Sequence, residues 1–305
     1  MYGQPQLLER VPRPLSPREI RSRLEVCPKL PSLRSIHGAL NELLSNEQRY
    51  AGQIGEVIRR DPGLTTRLLK LVNSAYYGLS QKVSNLEESV FYVGIRQIRE
   101  LAAMTPVIED FKKVAGNQAD SWRAFWQHCI AVASLTRDLL AAIHHKEDDT
   151  DYVAGLIHDV GWLAMATAFP EHFAEIRRRH ASGTSAMAAA ELSVLGVRHT
   201  EIGAFYLECQ DLAPSLVNAA RFHHHPAAAG DDAQLASAVQ IADLLASKSG
   251  LGQGDDLAYE TEDAWLYAPG WEILFGPNSR MEREFAQNTL RRSVERLPFL
   301  LECLV

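Results

Sequence analysis

This chain has little of what marks secreted, membrane-spanning or nucleic-acid-binding proteins. Its 305 residues include 4 cysteines, and Cys27, Cys129, Cys209 and Cys303 are scattered with no CxxC pair. Neither a disulfide framework nor a cysteine-based zinc site is expected, only reduced and mostly buried thiols. No window approaches 18 uncharged apolar residues, so no membrane insertion is expected. The stretch from Met1 to Pro17 is polar and proline-punctuated rather than signal-like, which predicts a cytoplasmic protein. Positive charge is not in excess: the formal net charge of −7 argues against nucleic acid or an anionic membrane as the main partner, because both select basic faces. No GxSxG, P-loop or GxGxxG pattern stands in a suitable context.

Alternating strand patterns are also nearly missing, and helical periodicity takes their place. With 46% hydrophobic residues the chain can bury a large core, and an all-α fold is predicted. The expected organisation is a flexible leader (1–23), a first helical unit (24–115), a second (116–250), and a loop with a helical extension (251–305). In the first unit Ser32 is placed as an N-cap for a helix carrying Leu33, Ile36, Leu40, Leu43 and Leu44. Ile54, Val57 and Ile58 follow, then a break at Asp61-Pro62-Gly63, a short helix with Leu64, Leu68, Leu69, Leu71 and Val72, a helix pair around Gly94, and a closing segment from Met104 to Lys113. The polar run 112–121 is the boundary. The second unit opens with an amphipathic helix from Trp122 to His144, then an acidic break from Lys146 to Asp151, a helix carrying Gly155-Leu156-Ile157-His158-Asp159-Val160-Gly161, and a charged helix with Arg177, Arg178 and Arg179 on a solvated face. An alanine-rich helix ends at Gly196, His199 opens the next, Pro214 to His224 forms another, and Leu235 to Ser247 is apolar except for Asp243.

Polar residues at unexpected positions form a set: His128, His158, Asp159, His199, His223, His224 and Asp243. A carboxylate inside an apolar helix is costly without a cation or several donors, so Asp159 and Asp243 call for partners. Any one of the histidines has a bland reading as a core or boundary residue, and His223-His224-His225 has one as an exposed helix end where cations suit the dipole. Together they supply imidazole nitrogens and carboxylate oxygens without thiolates. That donor set suits Mn, Fe, Ni, Co or Zn better than calcium or magnesium, and it is large enough for two ions.

From about Leu24 to Lys248 the chain resembles the HDOD family, the HD-related output domain group of bacterial signalling proteins. The resemblance rests in the first unit on Leu30-Pro31, Ile58-x-x-Asp61-Pro62-x-Leu64-Thr65 and Leu69-x-x-Val72-Asn73-Ser74-Ala75. In the second it rests on Trp126-x-His128, the segment from Gly155 to Gly161, Glu191-x-x-x-x-Gly196-x-x-His199, Gly203-Ala204, Ala220-x-x-His223-His224-x-Pro226 and Ala242-Asp243. It implies a helical N-terminal part packed on an HD-like helical core, and an output or scaffold role in signal transduction. It further implies partners of the sensor kinase, response regulator or diguanylate cyclase class, and a nucleotide-like ligand.

HDOD proteins are generally regarded as lacking the phosphohydrolase activity of the HD and HD-GYP enzymes they resemble. Here the metal-ligand positions of those enzymes are filled, yet two features depart. His225-Pro226-Ala227-Ala228-Ala229-Gly230 stands where HD-GYP enzymes carry a Gly-Tyr-Pro loop, and Trp162 stands where they carry a phosphate-contacting lysine. Phe91-Tyr92-Val93-Gly94 also departs from the family pattern, as a packing substitution. The expected function is a non-catalytic signalling protein with a vestigial metal or nucleotide site. The alternative is a metal-dependent phosphohydrolase acting on a cyclic dinucleotide.

Overall fold

The computed structural model describes residues 12–27, 58–59, 62–75, 77–98, 101, 122–143, 150–182, 186–251, 263–276 and 279–304. The expectations for Ser32 to Val57, for Asp61, for Met104 to Lys113 and for the boundary at 112–121 fall outside these residues. Among the described residues every regular element is helical and none is a strand, as an all-α fold requires. None of these helices is long and apolar enough to cross a membrane.

The first helix corrects the sequence reading, which placed residues up to 23 in a flexible leader. Pro17–Glu25 (α1) is helical because Ser16 and Glu19 cap it reciprocally: the Glu19 amide donates to Ser16 Oγ and the Ser16 amide to Glu19 Oε2 at 2.8 Å. Ile20 and Leu24, four residues apart, bury the inner side. Pro62–Val72 (α2) and Leu86–Val93 (α3) pack on each other. Asn73 ties them by donating to Leu69 O and Val83 O at 2.8 and 2.7 Å while accepting the Val83 amide at 2.7 Å. Asn85 caps α3, and Gly94, at φ +83°, turns the chain out of it. The aromatic pair on α3 is no packing substitution: Phe91 is 80% exposed and Tyr92 41%.

The second unit is built around Arg123–Ala142 (α4). From Phe125 to Leu140 nearly every residue of this helix is buried, so it is a central rod rather than a two-faced surface helix. Thr150–Ile157 (α5), Ala233–Lys248 (α11) and Arg280–Leu304 (α13) pack against it. Gly155 lets α5 approach closely, because a Cβ there would lie 2.6 Å from the Ala133 Cα. Val160–Ala168 (α6), Pro170–Ala181 (α7), Met187–Val194 (α8), His199–Cys209 (α9) and Pro214–Phe222 (α10) complete the layer around the site. A 3-10 segment, Pro226–Asp232, leads into α11, and Gly270–Phe275 (α12) packs on α11.

Two charged residues of this unit are buried. Asp151, assigned to an acidic break, lies in the first turn of α5 with 3% exposure. Arg137 of α4 pairs with it at 3.3 Å and lies over the Tyr152 ring at 4.6 Å. Asp138, on the next residue, takes Arg96, Ser293 and Arg296, joining the segment after α3 to α4 and α13.

Candidate metal centre

All seven predicted residues converge. His128 comes from α4, His158 and Asp159 from the turn between α5 and α6, His199 from the first position of α9, His223 and His224 from the end of α10, and Asp243 from α11. The sequence placed His158-Asp159 inside a helix, whereas the pair forms the two-residue turn that separates α5 from α6. That turn is held by Gly161, where a Cβ would meet the His199 carbonyl oxygen at 1.9 Å, so α6 and the start of α9 touch through backbone. The close approach sets His199 beside Asp159.

Asp159 stands at the middle. His158 Nε2 lies 3.3 Å and His128 Nε2 3.9 Å from its Oδ2, while His199 and His223 Nε2 lie 3.4 and 3.6 Å from its Oδ1. His128 Nε2 also lies 3.0 Å from Asp243 Oδ1, and the Nε2 atoms of His199 and His224 are 3.3 Å apart. The exposed-helix-end reading of the histidine run is thus overturned for His223, which is fully buried, and holds for His225.

The imidazoles are aimed from behind. Nδ1 of His128 donates to Leu251 O at 3.0 Å, that of His158 to Gly155 O at 2.8 Å, and that of His223 to Ala220 O at 2.9 Å. A carbonyl only accepts, so in these three Nδ1 carries the proton and, where the ring is neutral, the Nε2 lone pair faces inward. His199 Nδ1 instead meets Glu191 Oε1 at 2.9 Å, and Glu191 Oε2 accepts the His199 amide at 3.3 Å. Glu191, fully buried in α8, was absent from the predicted ligands. Its signal was a lone acid at the end of the apolar run Met187-Ala-Ala-Ala-Glu191.

These features fit a divalent metal. The buried Nε2 atoms of His158 and His223 have no hydrogen-bond partner of acceptable geometry, which is unusual for native buried polar atoms. Three sets, His199/His223/His224, His128/His158/Asp159 and His158/His223/Asp243, each bring donor atoms within 4.8 Å of one another. Donors about 2.0–2.2 Å from one ion stand roughly 3 to 4 Å apart, the spacing seen around Asp159. The outer hydrogen bonds from Nδ1 are the supporting contacts that metal-ligating imidazoles ordinarily make.

Without metal the charges lean on each other. Burial opposes protonation of His128, but its hydrogen bond to Asp243 and the fields of Asp243 and Asp159 outweigh it and raise the imidazole to about 9. Burial alone would raise Asp159 and Asp243. The histidines around Asp159, and the His128 bond to Asp243, hold both carboxyls below their ordinary range. Burial, reinforced by His224, pushes His223 well down.

One wall is aromatic. The half-buried Trp162 indole lies flat over His199, with ring centroids 5.1 Å apart at 17°. Its edge meets Phe173, which stacks on Trp122.

An all-helical bundle with a histidine–aspartate ring at its centre defines an HD-like protein. The HDOD domain pattern matches residues 30–226, and the chain belongs to that family. A Treponema pallidum (strain Nichols) protein of uncharacterised function is 28% identical over 228 residues, covering 74% of this chain and 43% of that protein. The chain therefore spans less than half the length of that relative. An HDOD domain protein of unknown function from Geobacter sulfurreducens superposes with a TM-score of 0.76 at 20% identity, covering 94% of this chain and 97% of the other. A provisionally named phosphohydrolase from Shewanella amazonensis SB2B gives 0.65 at 23%, covering 94% and 98%. A provisionally named signal transduction protein from Marinobacter aquaeolei VT8 gives 0.61 at 20%, covering 93% and 65%. At these identities the three structures establish the fold alone.

Proposed function

We propose that this chain is a cytoplasmic signal-transduction output or scaffold protein whose HD-like core holds one or two divalent transition metals without turning over substrate. The observation that carries this reading is Trp162 lying flat on His199 beside a full set of ligands. The ring supports a metal, because two buried imidazole nitrogens lack a hydrogen-bond partner, and neutral imidazole with carboxylate suits Mn, Fe, Ni, Co or Zn. His128, His158, Asp159 and Asp243 would hold one ion, and His199, His223 and His224 a second beside Asp159. The indole puts an apolar plane where related phosphodiesterases carry a cation for the substrate phosphate, and that loss weakens the case for turnover. Family membership and the name of the Marinobacter neighbour support a signalling role. The partners are of the sensor kinase, response regulator or diguanylate cyclase class, and the ligand is nucleotide-like.

The second reading, a metal-dependent phosphohydrolase of cyclic dinucleotides, is favoured by the completeness of the ring and by the name of the Shewanella neighbour. A bound metal pair would supply an activated water and charge neutralisation at a phosphoryl group. In either case the protein aims the imidazoles through Nδ1 and keeps Asp159 ionised.

Elemental analysis of the purified full chain, joined to a phosphodiester turnover assay, separates the readings. Stoichiometric metal that is lost in Asp159→Ala, with no turnover in the wild type, is the expected result. Metal-dependent turnover that disappears in the same variant would overturn it.

A further inference from the structure

Resting on the metal-holding reading, we propose that Gln240 is a positioning residue that couples the docking of the segment from Ala264 to Phe275 to metal occupancy, so that each stabilises the other. Gln240 lies on α11, is 3% exposed and forms a two-sided bridge. Its Nε2 donates to the His224 carbonyl oxygen at 3.2 Å, and its Oε1 accepts the Gly270 amide at 3.0 Å. A carbonyl oxygen only accepts and a main-chain N–H only donates, so the two partners fix which way the side-chain amide points. A carboxylate could not serve both, because it has no proton to donate.

Both bonds fall where the backbone calls for a partner. Gly270 is the first residue of α12, and its amide has no acceptor within that helix. His224 lies past the end of α10, and the bond to its carbonyl fixes the peptide that carries the ring. That ring belongs to the His199/His223/His224 set, with its Nε2 3.3 Å from His199 Nε2. His128, His158, His199 and His223 are aimed through Nδ1, whereas Gln240 acts on His224 through the main chain.

The far side of the bridge is a closely packed unit. A Cβ at Gly270 would lie 2.9 Å from the Ser237 carbonyl oxygen, so α12 touches α11 through backbone. Trp271 is fully buried and donates from Nε1 to Trp265 O at 2.7 Å. Arg283 and Arg291 of α13 lie over the Trp271 and Trp265 rings at 5.4 and 5.7 Å. Gln240, Leu251 and Gly270 all follow residue 226, where the match to the family pattern stops. Leu251 steadies His128 in one ligand set, and Gln240 with Gly270 steadies His224 in another. By linkage, a metal that binds only when His224 is correctly placed stabilises the docked segment by the free energy that docking adds to metal binding.

The test uses the full chain and whichever of Mn²⁺, Fe²⁺, Co²⁺, Ni²⁺ and Zn²⁺ it binds most tightly. Metal affinity is read by competition with a chelating dye, and hydrogen exchange is read over residues 264–275 with and without the ion. In wild type the segment is expected to exchange more slowly when loaded. Gln240→Leu removes both bonds and should bind metal about 10-fold more weakly, the worth of one hydrogen bond, with the metal-dependent protection lost. Gln240→Glu keeps the acceptor for Gly270 and loses the donor to His224, so the metal-free segment should stay protected while metal adds nothing further. Gly270→Ala, which acts at Ser237, should weaken metal binding about as much as Gln240→Leu, and it carries the test where the leucine variant fails to fold. Unchanged metal affinity in Gln240→Leu or in Gly270→Ala overturns this proposal alone, as does a wild type whose exchange over 264–275 ignores the bound ion. A wild type that takes up none of the five ions overturns the metal reading and this proposal with it.

Discussion

The two ends of α5 each carry a buried aspartate, and they are built to opposite plans. Asp151, in the first turn, is closed: Arg137 supplies a permanent cation at 3.3 Å, and the Tyr152 amide donates to the same oxygen at 2.6 Å. Asp159, just past the last turn, is open: its neighbours are four imidazoles, two of them with inward nitrogens lacking a partner. A guanidinium cannot surrender its charge, whereas an imidazole can exchange its proton for a metal. One end of the helix is therefore finished by the chain itself, and the other, in the proposed reading, by a bound metal.

The contrast is broken most severely by Arg137→Ala. Leaving Asp151 buried without its cation should cost about 3–5 kcal/mol, read as a large fall in melting temperature with metal stoichiometry intact in the folded fraction. If the melting temperature hardly moves, the closed end is not closed by that pair. Gly161→Ala comes next. It pushes a methyl into the His199 carbonyl, so a loss of about 1–3 kcal/mol is expected from overpacking, together with weakened metal binding because His199 must shift. Equal stability with unchanged metal affinity would show that α6 and α9 yield more easily than their backbone contact indicates.

Glu191→Gln sharpens the comparison from the open side. It keeps an acceptor for His199 Nδ1 but removes the charge and the acceptor for the His199 amide, so metal affinity should fall about 10–100-fold and metal-free stability by about 1–3 kcal/mol. Undiminished affinity in a competition titration would reduce Glu191 to a packing role.

The smallest effect is a pH trend in metal-free protein. His128 rises from an ordinary value of 6.5 to about 9 in the folded state, so its protonation adds stability that is fully present below 6.5 and is lost as pH climbs through about 9. His223 is pushed the other way by burial. The unfolded chain therefore gains a proton there first, and stability also falls as pH drops below the ordinary histidine range. Melting temperatures measured in chelator should peak near neutrality and decline toward pH 9. Asp243→Asn should flatten the alkaline limb, and metal affinity should rise over that same limb because a proton must leave His128.

The open end of α5 was legible in the sequence and the closed end was not. His158, Asp159 and Asp243 interrupt apolar runs, and a polar residue among buried neighbours calls attention to itself. Asp151 follows a run of charged and acidic residues, where one more acid reads as solvated; only the packing of α5 against α4 buries it against Arg137. Glu191 lay in a motif that carried the family resemblance, yet its role depends on α8 and α9 folding back on each other, which no local pattern encodes. α1 was missed because its apolar signal is two residues, Ile20 and Leu24, in a stretch rich in arginine and proline, although the Ser16–Glu19 capping pair was there to be read. Phe91 went the other way: an aromatic residue on a helix invites a core assignment, and this one faces solvent.

Three of the four Nδ1 anchors at the centre are main-chain carbonyls, those of Gly155, Ala220 and Leu251. No codon change deletes a carbonyl oxygen. Drift in this lineage can therefore erase an imidazole while the acceptor that aimed it stays where the helix ends put it, and one substitution back to histidine would restore a correctly pointed ligand. His199 is the exception, since its anchor is the Glu191 side chain, and two independent mutations can silence it. Losses on the His199 side are thus the harder ones to reverse.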